Sequence, residues 1–130
     1  METIQKKVIR KESQKLGSTE YTLNVDFKLP EGIKADTSGH FNRLYVTFRG
    51  KDDGPEKQKE VIKEHPDFPL GVPVRGAGKH VDLIVTYSIR YFAGSDTNPK
   101  EAKLIYEIPV DFSDSSQLDT IELNETLPLS

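Results

Sequence analysis

A chain of 130 residues with no cysteine excludes disulfides, thiolate metal centres and thiol chemistry, and it is long enough for one domain to bury a core without such staples. Hydrophobic residues make up 35% and charged residues 30%, the balance of a globular protein with a heavily solvated surface. The net charge of −3 argues against nucleic acid as a partner, because neutralising phosphates needs a basic surface.

The opening stretch METIQKKVIRKESQKLG has no apolar core of the kind a secretory signal carries. No apolar run approaches the ~18 residues that span a bilayer. The expectation is therefore a protein without a membrane span, with a cytoplasmic location favoured. TIQKKVIRK is rich in β-branched residues, but Ile4 and Val8 fit a helix as well as a strand.

The next segments alternate with period two, the signature of half-buried strands. In YTLNVDFKL, Tyr21, Leu23, Val25, Phe27 and Leu29 share one face. HFNRLYVTFRG turns Leu44, Val46 and Phe48 inward. Between them PEGIKADTSG reads as a turn. DDGPEKQKEVIKEHP reads differently: Pro55 at a first helical position, then strong helix formers ending at His65-Pro66, which predicts one short helix near 55–64. His65-Pro66-Asp67 is also the tripeptide of J-domain co-chaperones, but those are helical hairpins and this segment is flanked by strand patterns.

FPLGVPVRGAG reads as a Pro/Gly-rich connecting loop. Its end, PVRGAGKH, contains the Gly78-Lys79 dipeptide of a phosphate-binding loop. Pro73 occupies the place of the first glycine, however, and His80 that of the Mg²⁺-ligating serine or threonine. A strand pattern follows where a helix N-terminus should face the phosphates. Nucleotide binding is excluded on both counts.

HVDLIVTYSIRYF places Leu83, Val85, Tyr87, Ile89 and Tyr91 on one side, and EAKLIYEIPVDF does the same with Leu104, Tyr106, Ile108, Val110 and Phe112. Aligning the two apolar faces as a hairpin across AGSDTNPK pairs Ile89 with Leu104 and sets Asp82 opposite Asp111. Like charges in that position destabilise, so either the register slips by two or a cation or basic side chain intervenes. The second outcome makes Asp82, Asp111 and Asp114 candidate metal ligands, with Ca²⁺ the one cofactor to consider. On the other face, Ile84, Phe92 and Ile105 point away from the core and are candidate interface residues.

DFSDSSQLDTIE sets Asp111, Ser113, Ser115, Asp119 and Glu122 at the ligand positions of an EF-hand loop, but Ser116 replaces the turn glycine and the flanks are strands. AGSDTNPK resembles a loop turn of the C2 domains, whose size this chain shares, although the paired aspartates of their second loop are missing. IELNETLPL closes the chain with Ile121, Leu123, Leu127 and Leu129 alternating.

These patterns predict a single domain over 1–130, an antiparallel β-sandwich of about six to eight strands with one short helix. No nucleophile elbow is present, and His40, His65 and His80 are too widely spaced for a paired-ligand motif, so an enzyme is not expected. The expected function is a non-catalytic protein-interaction or assembly module, with a homo-oligomer favoured. The alternative is a Ca²⁺-dependent or ligand-binding C2-like sandwich that uses loops near 80–82 and 111–119. The charge distribution also predicts a contact: Lys6, Lys7, Arg10, Lys11 and Lys15 crowd the first strand, whereas residues 104–130 carry acids and no base. The two ends should pair, within one chain or between chains.

Overall fold

The computed structural model describes residues 4–17, 20–36, 42–50, 60–75, 80–95, 97–113 and 119–129. Within them lie ten strands and no helix: β1 (Ile4–Arg10), β2 (Gln14–Leu16), β3 (Glu20–Lys28), β4 (Ile33–Ala35), β5 (Arg43–Gly50), β6 (Glu60–Glu64), β7 (Leu70–Arg75), β8 (His80–Ala93), β9 (Lys100–Phe112) and β10 (Thr120–Thr126). They form two mixed sheets. The larger has seven strands in the order β1-β9-β8-β5-β6, with β2 also on β9 and β4 also on β8; the smaller runs β10-β3-β7.

Alternation puts every second side chain of each sheet into one shared core. Leu23, Val25, Val72, Ile121 and Leu123 from the small sheet meet Leu44, Val46, Leu83, Val85, Leu104 and Ile108 from the large one. Full burial of such a side chain stabilises by about 1.5–3 kcal/mol. Leu127 and Leu129 are buried as well, although both lie beyond the end of β10. Phe27 ties one end together, stacking on Tyr106 at 5.2 Å and lying tilted against Tyr87 at 5.5 Å.

Three features depart from the sequence expectations. The sheets are not wholly antiparallel: β1 and β2 run parallel to β9, and β10 runs parallel to β3. Period-two alternation assigns a strand's faces and is blind to its neighbour's direction, so nothing in the pattern excluded this. The expected helix is also corrected. Glu60–Glu64 is strand β6, hydrogen-bonded to β5, and the remaining residues, 55–59, lie outside the described part. Its Lys and Glu content reads as helix-forming, yet the same residues guard an exposed sheet edge; Lys63 takes the inward register position beside Leu44.

The supposed loop FPLGVPVRGAG contains β7, whose Val72 and Val74 are core residues, and the supposed turn PEGIKADTSG contains β4. Pro73 is compatible with β7 because of its position. Thr22 donates its N–H to Asp119 on the β10 side, so its partner Pro73 directs its own nitrogen to the free edge, where no donor is required.

Pro109 has a comparable effect on the other sheet. Lys11 donates to the Glu107 carbonyl, so Glu107 and, two residues on, Pro109 both direct their backbone toward the β1–β2 edge. Proline has no N–H to give there. The edge strand breaks opposite it: β1 pairs up to Glu107, β2 resumes at Val110, and Lys11, Glu12 and Ser13 bulge between them.

The central hairpin takes the first of the two outcomes expected for it, the slipped register. Ile89 lies opposite Ala102, Tyr87 opposite Leu104 and Val85 opposite Tyr106, a slip of two residues from the alignment of apolar faces. Such a slip leaves every side chain on its face. It replaces the Asp82–Asp111 opposition with Asp82 against Pro109 and His80 against Asp111.

Basic β1 and acidic β10 do come together, but not as ladder neighbours. They are edge strands of different sheets and meet across the seam. Lys7 Nζ donates to the Pro128 carbonyl at 2.8 Å, and Lys11 forms an ion pair with Glu125. Lys7 occupies the inward side of β1 between Gln5 and Ile9, which explains why that strand's pattern was ambiguous, and Lys11 follows directly after the strand's end.

Two outcomes follow from the core. Leu104→Ala removes a fully buried side chain from the central strand and should cost about 2–5 kcal/mol in chemical denaturation. Burial also raises the tyrosine hydroxyls: Tyr87 and Tyr106 are pushed from 10.0 up to about 12, with Glu125 adding to the effect at Tyr106. The unfolded chain therefore releases these protons near pH 10 while the folded chain holds them to about pH 12. The stabilisation is complete below the unfolded value and is lost as pH rises through the folded one. The melting temperature should fall above about pH 10, and Tyr87→Phe should flatten that decline.

Candidate functional site

Three places bear on function: the acidic end of the central hairpin, the outer face of the large sheet, and a pocket at one end of the core. At the acidic end, Asp82 and Asp111 occupy outer positions on β8 and β9, offset by two residues. Diagonal neighbours of that kind have Cα atoms about 7–8 Å apart. Asp114 lies outside the described residues. The cation beside Asp82 is a side chain: Arg10 of β1 reaches it at 3.8 Å and Glu107 at 3.5 Å. Among the described residues no group of three or more His, Asp or Glu is placed to hold a metal ion.

The outer face of the large sheet departs from a polar exterior. Register carries one row across four strands as Val8, Ile105, Thr86 and Tyr45. Val8 is 55% exposed, and Ile105 is half-buried. Ile84 lies in the adjacent row, between Glu107 and Thr47, and is therefore a diagonal neighbour of Ile105. Phe92 is not part of this group. It lies eight residues further along β8, roughly 26 Å away at strand rise, opposite Lys34 of β4.

The outer face of the small sheet shows what a solvated surface looks like in this protein. It presents Thr22, Asn24, Asp26 and Lys28 on β3 with Glu122 and Asn124 on β10, and Asn24 donates to Glu122 at 2.9 Å.

The pocket was not foreseen. About 380 Å³ in volume, it is lined by Phe27, Asn42, His65, Asp67, Phe68 and Tyr87 among others. Phe68 lies 5.2 Å from Phe27 and meets Tyr87 edge-on at 5.5 Å, so three aromatic rings form one wall. Asn42 is the one buried polar residue among those described, 5% exposed, and its side-chain oxygen has no hydrogen-bond partner. Leaving such an acceptor buried and unpaired costs about 1–3 kcal/mol. Its backbone carbonyl accepts from His65 N–H at 2.8 Å. That bond holds the 65–68 loop beside the pocket, with His65 itself in the left-handed region at φ 48°. A non-glycine residue there carries roughly 1–2 kcal/mol of strain. The sequence offered one signal, an asparagine directly before a strand pattern, which is indistinguishable from an ordinary turn residue until the core closes over it.

A scan against protein-family models and a comparison with curated proteins give no match for this chain.

Arg10 joins two carboxylates at a well-exposed position, so Arg10→Ala should cost no more than about 1 kcal/mol. The loss should shrink as salt is added, because screening weakens the pairs that remain in the wild type. Melting curves of both proteins at low and high ionic strength measure it.

Proposed function

We propose that this chain is a β-sandwich interaction module without catalytic activity, and that it binds through the outer face of its large sheet, with a second copy of itself as partner. The observation that carries the reading is the row Val8, Ile105, Thr86 and Tyr45, with Ile84 diagonal to Ile105, a stripe apolar but for Thr86 on a face over which no described strand lies. Grouped apolar residues on one sheet face are what a covered surface requires, and the small sheet's polar face supplies the contrast within the same molecule.

The sheet edges favour face-to-face contact over strand exchange. β1–β2 is bulged at 11–13, β6 carries exposed Lys63 and Glu64, and β7 directs Pro73 at its free edge. Edges built this way resist pairing with another chain. Charge beside the stripe is compatible with a two-fold dimer. Lys103 flanks it on one side and Glu107 on the other, so an axis along the stripe sets Lys103 of each copy against Glu107 of its mate. A Ca²⁺ site in the loops near 80–82 and 111–119 has less support, since Arg10 already neutralises Asp82.

Light scattering coupled to size exclusion tests the proposal at about 100 µM protein, well above the Kd of a micromolar dimer. The wild type should run with the mass of a dimer. Ile105→Lys should run as a monomer with its melting temperature within a few degrees of wild type. A wild type that stays monomeric at that concentration overturns self-association through this face.

A further inference from the structure

We infer that the pocket between Phe27, Asn42 and Phe68 binds an organic cation: an ammonium or guanidinium group carried on an apolar stem. The inference stands apart from the self-association reading, since the lining joins Phe27 of β3, Tyr87 of β8, Asn42 and the 65–68 loop to Leu29, Ala35 and Leu127, and none of these belongs to the outer stripe.

The chemistry of the lining selects the ligand. At about 380 Å³ the space suits a small molecule or one long side chain. Its apolar surface is part aliphatic, from Leu29, Ala35, Pro66 and Leu127, and part aromatic, from Phe27, Phe68 and Tyr87, whose ring faces attract cations while the aliphatic part suits the stem. Its polar groups are weighted toward acceptance. Asn42 supplies a buried oxygen without a partner, Asp67 supplies a carboxylate at the exposed rim, and among the described residues the one basic side chain lining the space is the imidazole of His65, with no Lys or Arg. A ligand that donates N–H to Asn42 restores the missing bond, and one bearing positive charge is drawn by Asp67. A carboxylate or phosphate finds the opposite: an acidic rim and, in Asn42, an acceptor it cannot satisfy.

The loop geometry belongs to the same site. His65 is held in its left-handed conformation by the bond from its N–H to the Asn42 carbonyl, and Pro66, Asp67 and Phe68 follow directly along the pocket. Strained backbone persists where surrounding structure enforces it, and here it brings the acidic rim and one aromatic wall to the buried acceptor.

The test uses the full ¹⁵N-labelled chain and three probes: benzylamine, benzoate as its charge-reversed counterpart, and N-acetylarginine amide. Benzylamine should give saturable amide shifts centred on Asn42, His65 and Phe68, and benzoate should give none. Asp67→Asn changes an exposed side chain, so it should weaken benzylamine several-fold at unchanged melting temperature. Asn42→Ala, if its spectrum shows it folded, should weaken binding about tenfold or more, as expected when a hydrogen bond to a charged group is lost. If that variant unfolds, the Asp67→Asn and benzoate arms decide. Tighter binding of N-acetylarginine amide than of benzylamine supports a basic side chain of a protein as the source of the cation; the reverse order supports a free amine. Absence of saturable shifts with both cations at about 10 mM, the weak end of measurable affinity, overturns the inference, as does equal binding of benzoate.

Discussion

The structure depends on burying alternate side chains between two sheets of unequal width. The inward rows of β8 and β9, from Leu83 to Tyr91 and from Ala102 to Val110, are buried along nearly their whole length. They form the floor on which β3, β7 and β10 pack. The other features are adjustments at the margins of that contact: where a strand ends, where a seam opens, and where a floor of seven strands extends past a cover of three.

The seam between β1 and β10 shows how polar residues complete an apolar core. Gln5 donates to the Tyr91 hydroxyl at 3.1 Å, Lys7 reaches the Pro128 carbonyl and Lys11 pairs with Glu125. Gln5 and Lys7 occupy inward positions on β1 and Lys11 follows its end; Gln5 bonds within its own sheet, to Tyr91 of β8, whereas the two lysines reach across to Pro128 and to Glu125 of β10. The opposite charges at the two ends of the chain are thereby used for closure between sheets. Pro109 and Pro73 act on the hydrogen-bonding pattern in the same spirit. One interrupts an edge strand and the other faces a free edge, so neither leaves a ladder donor missing within a paired region.

Both proposed sites lie where this division of inside from outside lapses. On the outer face, Val8 and Ile105 are apolar where the pleat calls for polar residues. In the end pocket, Asn42 is polar where packing calls for apolar ones, and its oxygen has no partner. Each departure carries a free-energy cost that folding alone gives no reason to retain. That is the physical ground for reading them as binding surfaces and for reading the clean alternation elsewhere as structure.

The strands with strong alternation were legible residue by residue in the sequence, as were most of the core positions, including Tyr21, Leu23, Val25, Leu44, Val85 and Ile121. That is because a side chain's face depends only on its own strand's two-residue period. Partner, direction and register are properties of pairs of segments distant in the chain, and they were decided by the tertiary structure. A parallel neighbour satisfies the same alternation as an antiparallel one, and a slip of two keeps every face while moving Asp82 from Asp111 to Pro109. Short or guarded strands were lost for a related reason. β6 is rich in Lys and Glu and β7 contains a proline, because edge strands are selected against the composition that marks a strand. The pocket was least legible of all. Phe27 and Tyr87 were read as core, which they are, and only the fold brings Asn42 and the His65–Phe68 loop beside them.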